Sequence, residues 1–139
     1  MYNWFMKRFR LIEHTADTGL VAYGDSLAEA FANAAYGLFS IITEIRRVRE
    51  VESWPVAVSA QDAEGLLFSW MNDLIYIFEV EHFLFKKFDI SEFSEHNLKA
   101  TGWGERYDPS RHQLKLGVKS ATYHMLKVEK GRVQVIFDV

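Results

Sequence analysis

The chain has 139 residues, of which 49% are apolar and 15% aromatic, with a formal net charge of −3 and no cysteine. This length and composition predict one folded domain, residues 1–139, and exclude an intrinsically disordered protein. The absence of cysteine excludes disulfides, cysteine-based zinc sites and thiol catalysis, and it favours a cytoplasmic location. The acidic balance argues against broad electrostatic capture of RNA or DNA.

The first third of the chain predicts two strands followed by a helix. Residues 4–13 and Gly19–Gly24 have strand-like composition. Ser26 and Glu29 match a capping box, and apolar residues at helical spacing then predict a helix from Leu27 to Thr43.

A β-rich segment and a second helix come next. Pro55 predicts an edge position for the strand Arg49–Ala60, because proline cannot donate a ladder hydrogen bond. Apolar spacing predicts a helix from Ala63 to His82, capped by Ser59 or Asp62. This most apolar part of the chain carries several charged residues, so no membrane span is predicted.

The remainder of the chain predicts strands. They are Phe83–Phe93, Leu98–Tyr107, Gln113–Lys119, Tyr123–Glu129 and Arg132–Val139, the last two forming a hairpin across Lys130-Gly131. A helix with one apolar face must cover another layer, and here that layer is a sheet. The pattern therefore predicts an α+β two-layer sandwich, with two amphipathic helices on a mostly antiparallel or mixed sheet of about seven strands.

Two polar clusters could carry chemistry. The run Glu13-His14-Thr15-Ala16-Asp17 fits a divalent-metal site or an acid/base pair, and it equally fits a strand-to-turn corner with a semi-buried histidine. The run from Lys119 to His124 could bind phosphate or supply acid/base groups, or it could be a solvated connection between strands. The residues alone leave both alternatives open.

The C-terminal residues form a third candidate. Asp138 and the terminal carboxylate of Val139 end a strand that is predicted to be buried on one face. Their hard oxygens suit Ca²⁺, Mg²⁺ or Mn²⁺. The alternative is a frayed last residue.

Three motifs occur in order along the chain. Glu-His-Thr-Ala-Asp-x-Gly-x-x-Ala-x-Gly covers 13–24, and Leu-Leu-x-x-Trp-Met-Asn-Asp-Leu-Ile-Tyr covers 66–76. Val-Lys-Ser-Ala-Thr-Tyr-His-x-Leu-x-Val covers 118–128, and the chain ends in Val-Ile-Phe-Asp-Val. Together these motifs resemble the archease family over nearly the whole chain. The resemblance implies an acidic residue before Val-Lys, where this chain has Gly117.

The resemblance implies a small cytoplasmic α+β protein that is not an enzyme. It implies a chaperone-like activator of the GTP-dependent tRNA-splicing RNA ligase, which promotes guanylylation and multiple turnover and meets RNA only through the ligase. The implied metal ligands are Asp17, Asp138 and Val139, with Ca²⁺ as the first expectation and Mg²⁺ or Mn²⁺ as alternatives. The implied supporting residues are His14, Thr15, Lys119 and His124.

A second functional hypothesis belongs to a different class. A metal-dependent hydrolase acting on a small phosphorylated substrate would use His14 or His124 as its base. This hypothesis predicts turnover by the isolated protein, whereas an activator needs its ligase.

Overall fold

The computed structural model describes residues 8–13 and 17–139, and for Glu13 it describes the backbone alone. In chain order the described elements are β1 (Phe9–Glu13), β2 (Thr18–Tyr23), α1 (Leu27–Ile42), β3 (Glu52–Ser59), α2 (Ala63–Glu81), β4 (Phe83–Phe93), β5 (Asn97–Arg106), β6 (Ser120–Ala121), β7 (Lys127–Glu129) and β8 (Arg132–Asp138), with a short 3₁₀ turn at Ile45–Arg47. The part of the predicted first strand before residue 8 lies outside the described residues. No helix in the described ranges is long and apolar enough to cross a membrane.

Both helices begin at caps that the sequence predicts. The Ser26 hydroxyl accepts a hydrogen bond from the Glu29 N–H, while the Glu29 carboxylate accepts one from the Asp25 N–H. At α2 the choice between two caps falls on Asp62, whose carboxylate accepts from the Gly65 N–H at 2.7 Å. Each cap satisfies a backbone donor that has no partner inside the helix, which is why the helices start where they do.

The strands form two antiparallel sheets. In the first sheet the order is β1-β2-β8, and β6 and β7 both pair with the far edge of β8. In the second sheet the order is β3-β5-β4, which confirms the edge position predicted from Pro55. The predicted α+β fold with two amphipathic helices is confirmed, with eight strands among the described residues.

One hydrophobic core joins the helices to both sheets. Helix α1 contacts β2 and β4, and helix α2 contacts β3 and β6, so each helix touches both sheets. Trp70 of α2 is fully buried, and its indole N–H donates to the carbonyl of Phe31 in α1 at 2.9 Å. This bond ties the two helices together inside the core, where an unpaired indole N–H would be costly.

Strand β8 is more deeply buried than the sequence predicts. Val133, Val135 and Phe137 face the main core, in agreement with their shared face. On the opposite face Gln134 and Ile136 are also buried, at 7% and 3% exposure, so the prediction of burial on one face is wrong along most of the strand. Within β8 only Asp138, at the C-terminal end, is exposed.

The predicted strand Gln113–Lys119 is wrong, although its residues alternate as a strand's do. The segment forms a single isolated bridge, between Thr43 and Leu114. Its backbone instead serves the C-terminus of α1, since the Lys115 N–H donates to the Ile42 carbonyl at 2.8 Å. A segment with an alternating pattern forms a strand only where a neighbouring strand pairs with its backbone. Here the backbone pairs with the end of helix α1 instead.

The first arm of the predicted C-terminal hairpin is shorter than Tyr123–Glu129. Only Lys127–Glu129 pairs as a strand, and residues 123–126 lie outside the ladder. Met125 adopts a left-handed conformation with φ 54°, which turns the chain back toward β8. The side-chain amide of Gln134 donates to the Met125 carbonyl at 2.8 Å and replaces part of the missing ladder.

Candidate functional site

The pairing of β2 with β8 brings two of the predicted metal ligands together. Thr18 pairs with Phe137 in this antiparallel ladder. Asp17 directly precedes Thr18, and Asp138 directly follows Phe137. The two aspartates therefore occupy neighbouring positions at the same end of adjacent strands.

The Lys119 segment meets the same end of β8 from the other side. Ser120 pairs with Asp138, and the Lys119 N–H donates to the Asp138 carbonyl at 2.8 Å. Ala121 and Phe137 are buried, so their neighbours Ser120 and Asp138 point away from the core. Three chain segments that are distant in sequence thus meet at one solvent-facing end of the first sheet. We call this the acidic end, and it comprises Asp17, Lys119, Asp138 and Val139.

The charged groups at this end are open to a ligand. Asp17 is partly buried, whereas Asp138, Lys119 and Val139 are exposed. Within the described residues, neither aspartate side chain forms an ion pair. The ladders pair Thr18 with Phe137 and Ser120 with Asp138, so strand hydrogen bonds hold the backbone at or next to these groups.

Two of the predicted supporting residues, His14 and Thr15, lie outside the described residues. His124 lies in the segment between β6 and β7, is exposed, and is positioned by a hydrogen bond from its backbone N–H to the Thr122 hydroxyl at 3.3 Å. Within the described ranges no hydrogen bond joins its ring to a hydroxyl, so the structure adds no nucleophile–base pair to it.

The donor chemistry of this end is oxygen chemistry. Asp17, Asp138 and the main-chain oxygens of Val139 are hard ligands of the kind that Ca²⁺, Mg²⁺ and Mn²⁺ prefer. Over residues 8–13 and 17–139 no group of three or more histidine, aspartate or glutamate side chains is placed to hold a metal ion. The residues fit a divalent ion in chemistry, and main-chain oxygens and water would have to complete its coordination.

The comparison with known proteins places this chain in a family. Residues 9–139 match the archease protein family (MTH1598/TM1083). The chain belongs to the archease family. It is 40% identical over 134 residues to the protein archease of Sulfurisphaera tokodaii, a match that covers 94% of this chain and 96% of that protein.

Two solved structures share the archease fold with this chain. The solution structure of protein 1598 from Methanobacterium thermoautotrophicum is 35% identical, with a TM-score of 0.79 over 96% of this chain and all of that one. The crystal structure of an archease and possible chaperone from Thermotoga maritima has a TM-score of 0.65 over 92% of this chain and 94% of that one. The second is 23% identical, so it supports the fold alone.

Asn72 is a residue near the candidate site that sequence reasoning missed. It lies on α2, and its side-chain oxygen accepts a hydrogen bond from the Ala121 N–H at 2.8 Å. Ala121 follows Ser120, which pairs with Asp138. Helix α2 therefore holds the short strand β6 from its open edge, next to the acidic end. The only sequence signal is an amide between apolar positions of a helix, which does not reveal its partner.

Sequence reasoning also missed a buried polar network at the end of β5. Glu105 accepts hydrogen bonds from Arg111 at 2.8 Å and from the Arg49 N–H, and it contacts His112 Nε2 at 2.9 Å. The Asp108 N–H donates to His112 Nδ1, which makes Nε2 the donor toward Glu105 in the neutral ring. Burial alone would raise the pKa of Glu105, but the Arg49 N–H, His112 and Arg111 together hold it below its ordinary value. This network fixes the turn after β5 and is separate from the acidic end.

Proposed function

We propose that this archease-family protein is a non-catalytic activator of the GTP-dependent RNA ligase of tRNA splicing, acting in the cytoplasm. In this proposal it promotes guanylylation of the ligase and its multiple turnover, and it meets RNA only through that partner. Membership of the archease family supports the proposal. A net charge of −3 also favours a protein partner over direct RNA binding.

The observation that carries the proposal is the ladder register that brings Asp17 and Asp138 together beside Lys119. An activator must present groups that reach a partner's active site, and these groups project from an exposed sheet end whose strands are held in the core. A lysine ammonium is a compact point charge, so Lys119 would hold a phosphate or a carboxylate at this end.

A divalent ion, Ca²⁺ in the first place and Mg²⁺ or Mn²⁺ as alternatives, is part of the proposal. Asp17, Asp138 and the main-chain oxygens of Val139 would hold it. When bound, the ion would supply positive charge for contact with phosphate oxygens. The protein's own residues would orient it, and His14, Thr15 and His124 would support the site from the neighbouring segments.

The test is multiple-turnover ligation, with the ligase present at a lower concentration than its RNA substrate and with GTP and Mn²⁺. Asp17→Asn and Asp138→Asn keep the side-chain size and remove the charge, and we expect each to abolish the stimulation. Glu129→Gln is the matched control, since Glu129 pairs with Arg132 at the opposite end of β8 and is exposed. Full stimulation by both aspartate variants, with unchanged thermal melting, would contradict the mechanism.

The same proteins test the hydrolase hypothesis. An activator releases no phosphate from a small phosphorylated substrate in the absence of the ligase, with or without added Mn²⁺ or Ca²⁺. Steady turnover by the isolated protein that is lost in His124→Gln would support the hydrolase instead.

A further inference from the structure

An open cavity lies between α2 and the end of β3. It has a volume of about 430 Å³, and its lining includes Val58 and Ser59 of β3 together with Phe68, Ser69, Asn72, Asp73 and Tyr76 of α2. Of these residues, Asn72 also bonds to Ala121 of β6. Because β3 is an edge strand, the cavity opens to solvent along the side of the second sheet. No function considered so far uses these side chains.

The carboxylate of Asp73 is the charged group of this cavity. It is partly buried, and within the described part of the chain it forms no hydrogen bond or ion pair. No lysine or arginine is among the residues that line the cavity. Burial raises the pKa of Asp73, which means that the folded protein stabilises the charged form poorly. A neutral residue would cost the protein less, so the charge of Asp73 fits a positively charged group from outside.

The walls beside Asp73 are aromatic. Phe68 stacks on Tyr123 with ring centroids 4.2 Å apart and an angle of 15° between the rings, so this wall is held in place. Tyr76 stands at the rim and is 63% exposed. Ser69, Asp73 and Tyr76 follow one another at helical spacing and therefore share one face of α2. An aromatic face attracts a cation, and the serine hydroxyls can accept its hydrogen bonds.

Among biological cations, the guanidinium group fits this set best. It is planar, stacks on aromatic rings, pairs with a carboxylate through two parallel N–H bonds and is less strongly hydrated than an ammonium. A cavity that would enclose a free small ligand is deep and covers most of the ligand's surface. This cavity instead borders an exposed edge strand, where a side chain on another protein's surface can enter.

We propose that the cavity receives an arginine side chain of a protein partner, with the guanidinium paired to Asp73 and lying against the ring of Tyr76. This contact uses none of the proposed ion ligands Asp17, Asp138 and Val139. It would dock the protein by helix α2 while leaving the Asp17 and Asp138 end free to act.

The test uses the isolated protein and nuclear magnetic resonance. Nα-acetyl-arginine amide is titrated, and we expect saturable shifts of the backbone amides of Ser59, Ser69, Asp73 and Tyr76. Nα-acetyl-citrulline amide has nearly the same shape but no charge, and we expect no saturable shift from it. Equal shifts with both compounds, or a response to nucleosides and none to the arginine compound, would overturn the proposal.

Variants separate the charge from the ring. Asp73→Asn should weaken binding of the arginine compound by at least about tenfold, since it removes a charge-assisted pair. Glu64→Gln, on an exposed position of the same helix, should leave binding unchanged. Tyr76→Ala should weaken binding and Tyr76→Phe should retain it. Wild-type affinity in Asp73→Asn would overturn the proposal, and because no ligase is present, this result does not depend on the activator hypothesis.

Discussion

The side-chain oxygen of Asn72 and the backbone N–H of Ala121 form a hydrogen bond of 2.8 Å between helix α2 and the edge strand β6. Strand β6 has two residues, so its pairing with β8 alone gives it few bonds. The amide of Asn72 satisfies a donor at the open edge of the sheet, in the way that proteins commonly protect such edges. It also sets the position of the segment that includes Ser120 and Lys119, beside Asp138.

We expect Asn72→Ala to lower the free energy of unfolding by about 1–2 kcal/mol, because it leaves the Ala121 N–H without its acceptor. Urea denaturation measures this change. Asn97→Ala is the control, since Asn97 is exposed, and a change within about 0.5 kcal/mol is expected there. Equal stability of the Asn72 variant and the wild type would show that water replaces the bond at no cost.

The Glu105 network predicts a loss of stability in acid. The pKa of Glu105 is lower in the folded protein than its ordinary value, so the unfolded state binds a proton more readily. The stabilisation that the Glu105 carboxylate gives the fold is therefore fully present above the ordinary glutamate pKa of about 4.3. It is lost as the pH falls through the pKa that Glu105 has in the folded protein. Unfolding by urea at a series of pH values from neutral to acid measures this loss.

The Glu105→Gln variant isolates that contribution. We expect the wild type to be more stable than the variant at neutral pH, with a difference that shrinks as the pH falls below about 4. Glu129→Gln, an exposed control, should show no such convergence. A difference that stays constant over the acid range would mean that the charge of Glu105 does not stabilise the fold.

Local features of the fold could be predicted from the sequence, because their causes are local. Ser26 and Asp62 cap the helices through residues three positions away. The segment Gln113–Lys119 was predicted wrongly because its alternating pattern does not reveal that its backbone partners lie at the end of α1. The burial of both faces of β8 likewise depends on distant elements.

The candidate site, like the fold, could be predicted from the sequence only in part. The residue types of Asp17 and Asp138 predict oxygen ligands. Their proximity depends on the register of β2 against β8, which local sequence does not encode. Only the resemblance to the archease family predicts that Asp17 and Asp138 belong to one site. Asn72 and the Glu105 network remained hidden because their partners are far along the chain or in turns.

The carboxylate of Asp73 has no partner among the described residues, which predicts a variant that gains stability. Its pKa is raised in the folded protein, so folding disfavours the charged form at every pH above the ordinary aspartate value of about 3.9. We expect Asp73→Asn to be slightly more stable than the wild type at neutral pH. The gain should disappear in acid, where Asp73 is protonated in both states.

Thermal melting and urea denaturation at neutral and acid pH measure that gain, with Glu64→Gln as the control for loss of one negative charge on α2. A gain in stability together with lost binding of the arginine compound would show that Asp73 is kept for contact with a partner. Lower stability of Asp73→Asn at neutral pH would instead assign the carboxylate a structural role.

Gly117 offers a gain-of-function test of the acidic end. It is exposed, a Cβ atom added there meets no atom within 4 Å, and it lies two residues before Lys119. The resemblance to the archease family predicts an acidic residue at this position, so Gly117→Asp would add a carboxylate beside the proposed ion. We expect Ca²⁺ to bind the Gly117→Asp variant several-fold more tightly than the wild type, because ligand charge raises the affinity of oxygen sites. Isothermal titration calorimetry of the isolated proteins with Ca²⁺ measures the difference.

Gly117→Ala is the matched control, since it adds the Cβ atom without the charge and should bind Ca²⁺ as the wild type does. Combining Gly117→Asp with Asp138→Asn should remove most of the gain, because the added carboxylate would then lack its partner at the end of β8. A gain that persists in full in this double variant would place the ion elsewhere. Equal affinity of all these proteins would mean that position 117 lies beyond the reach of the ion.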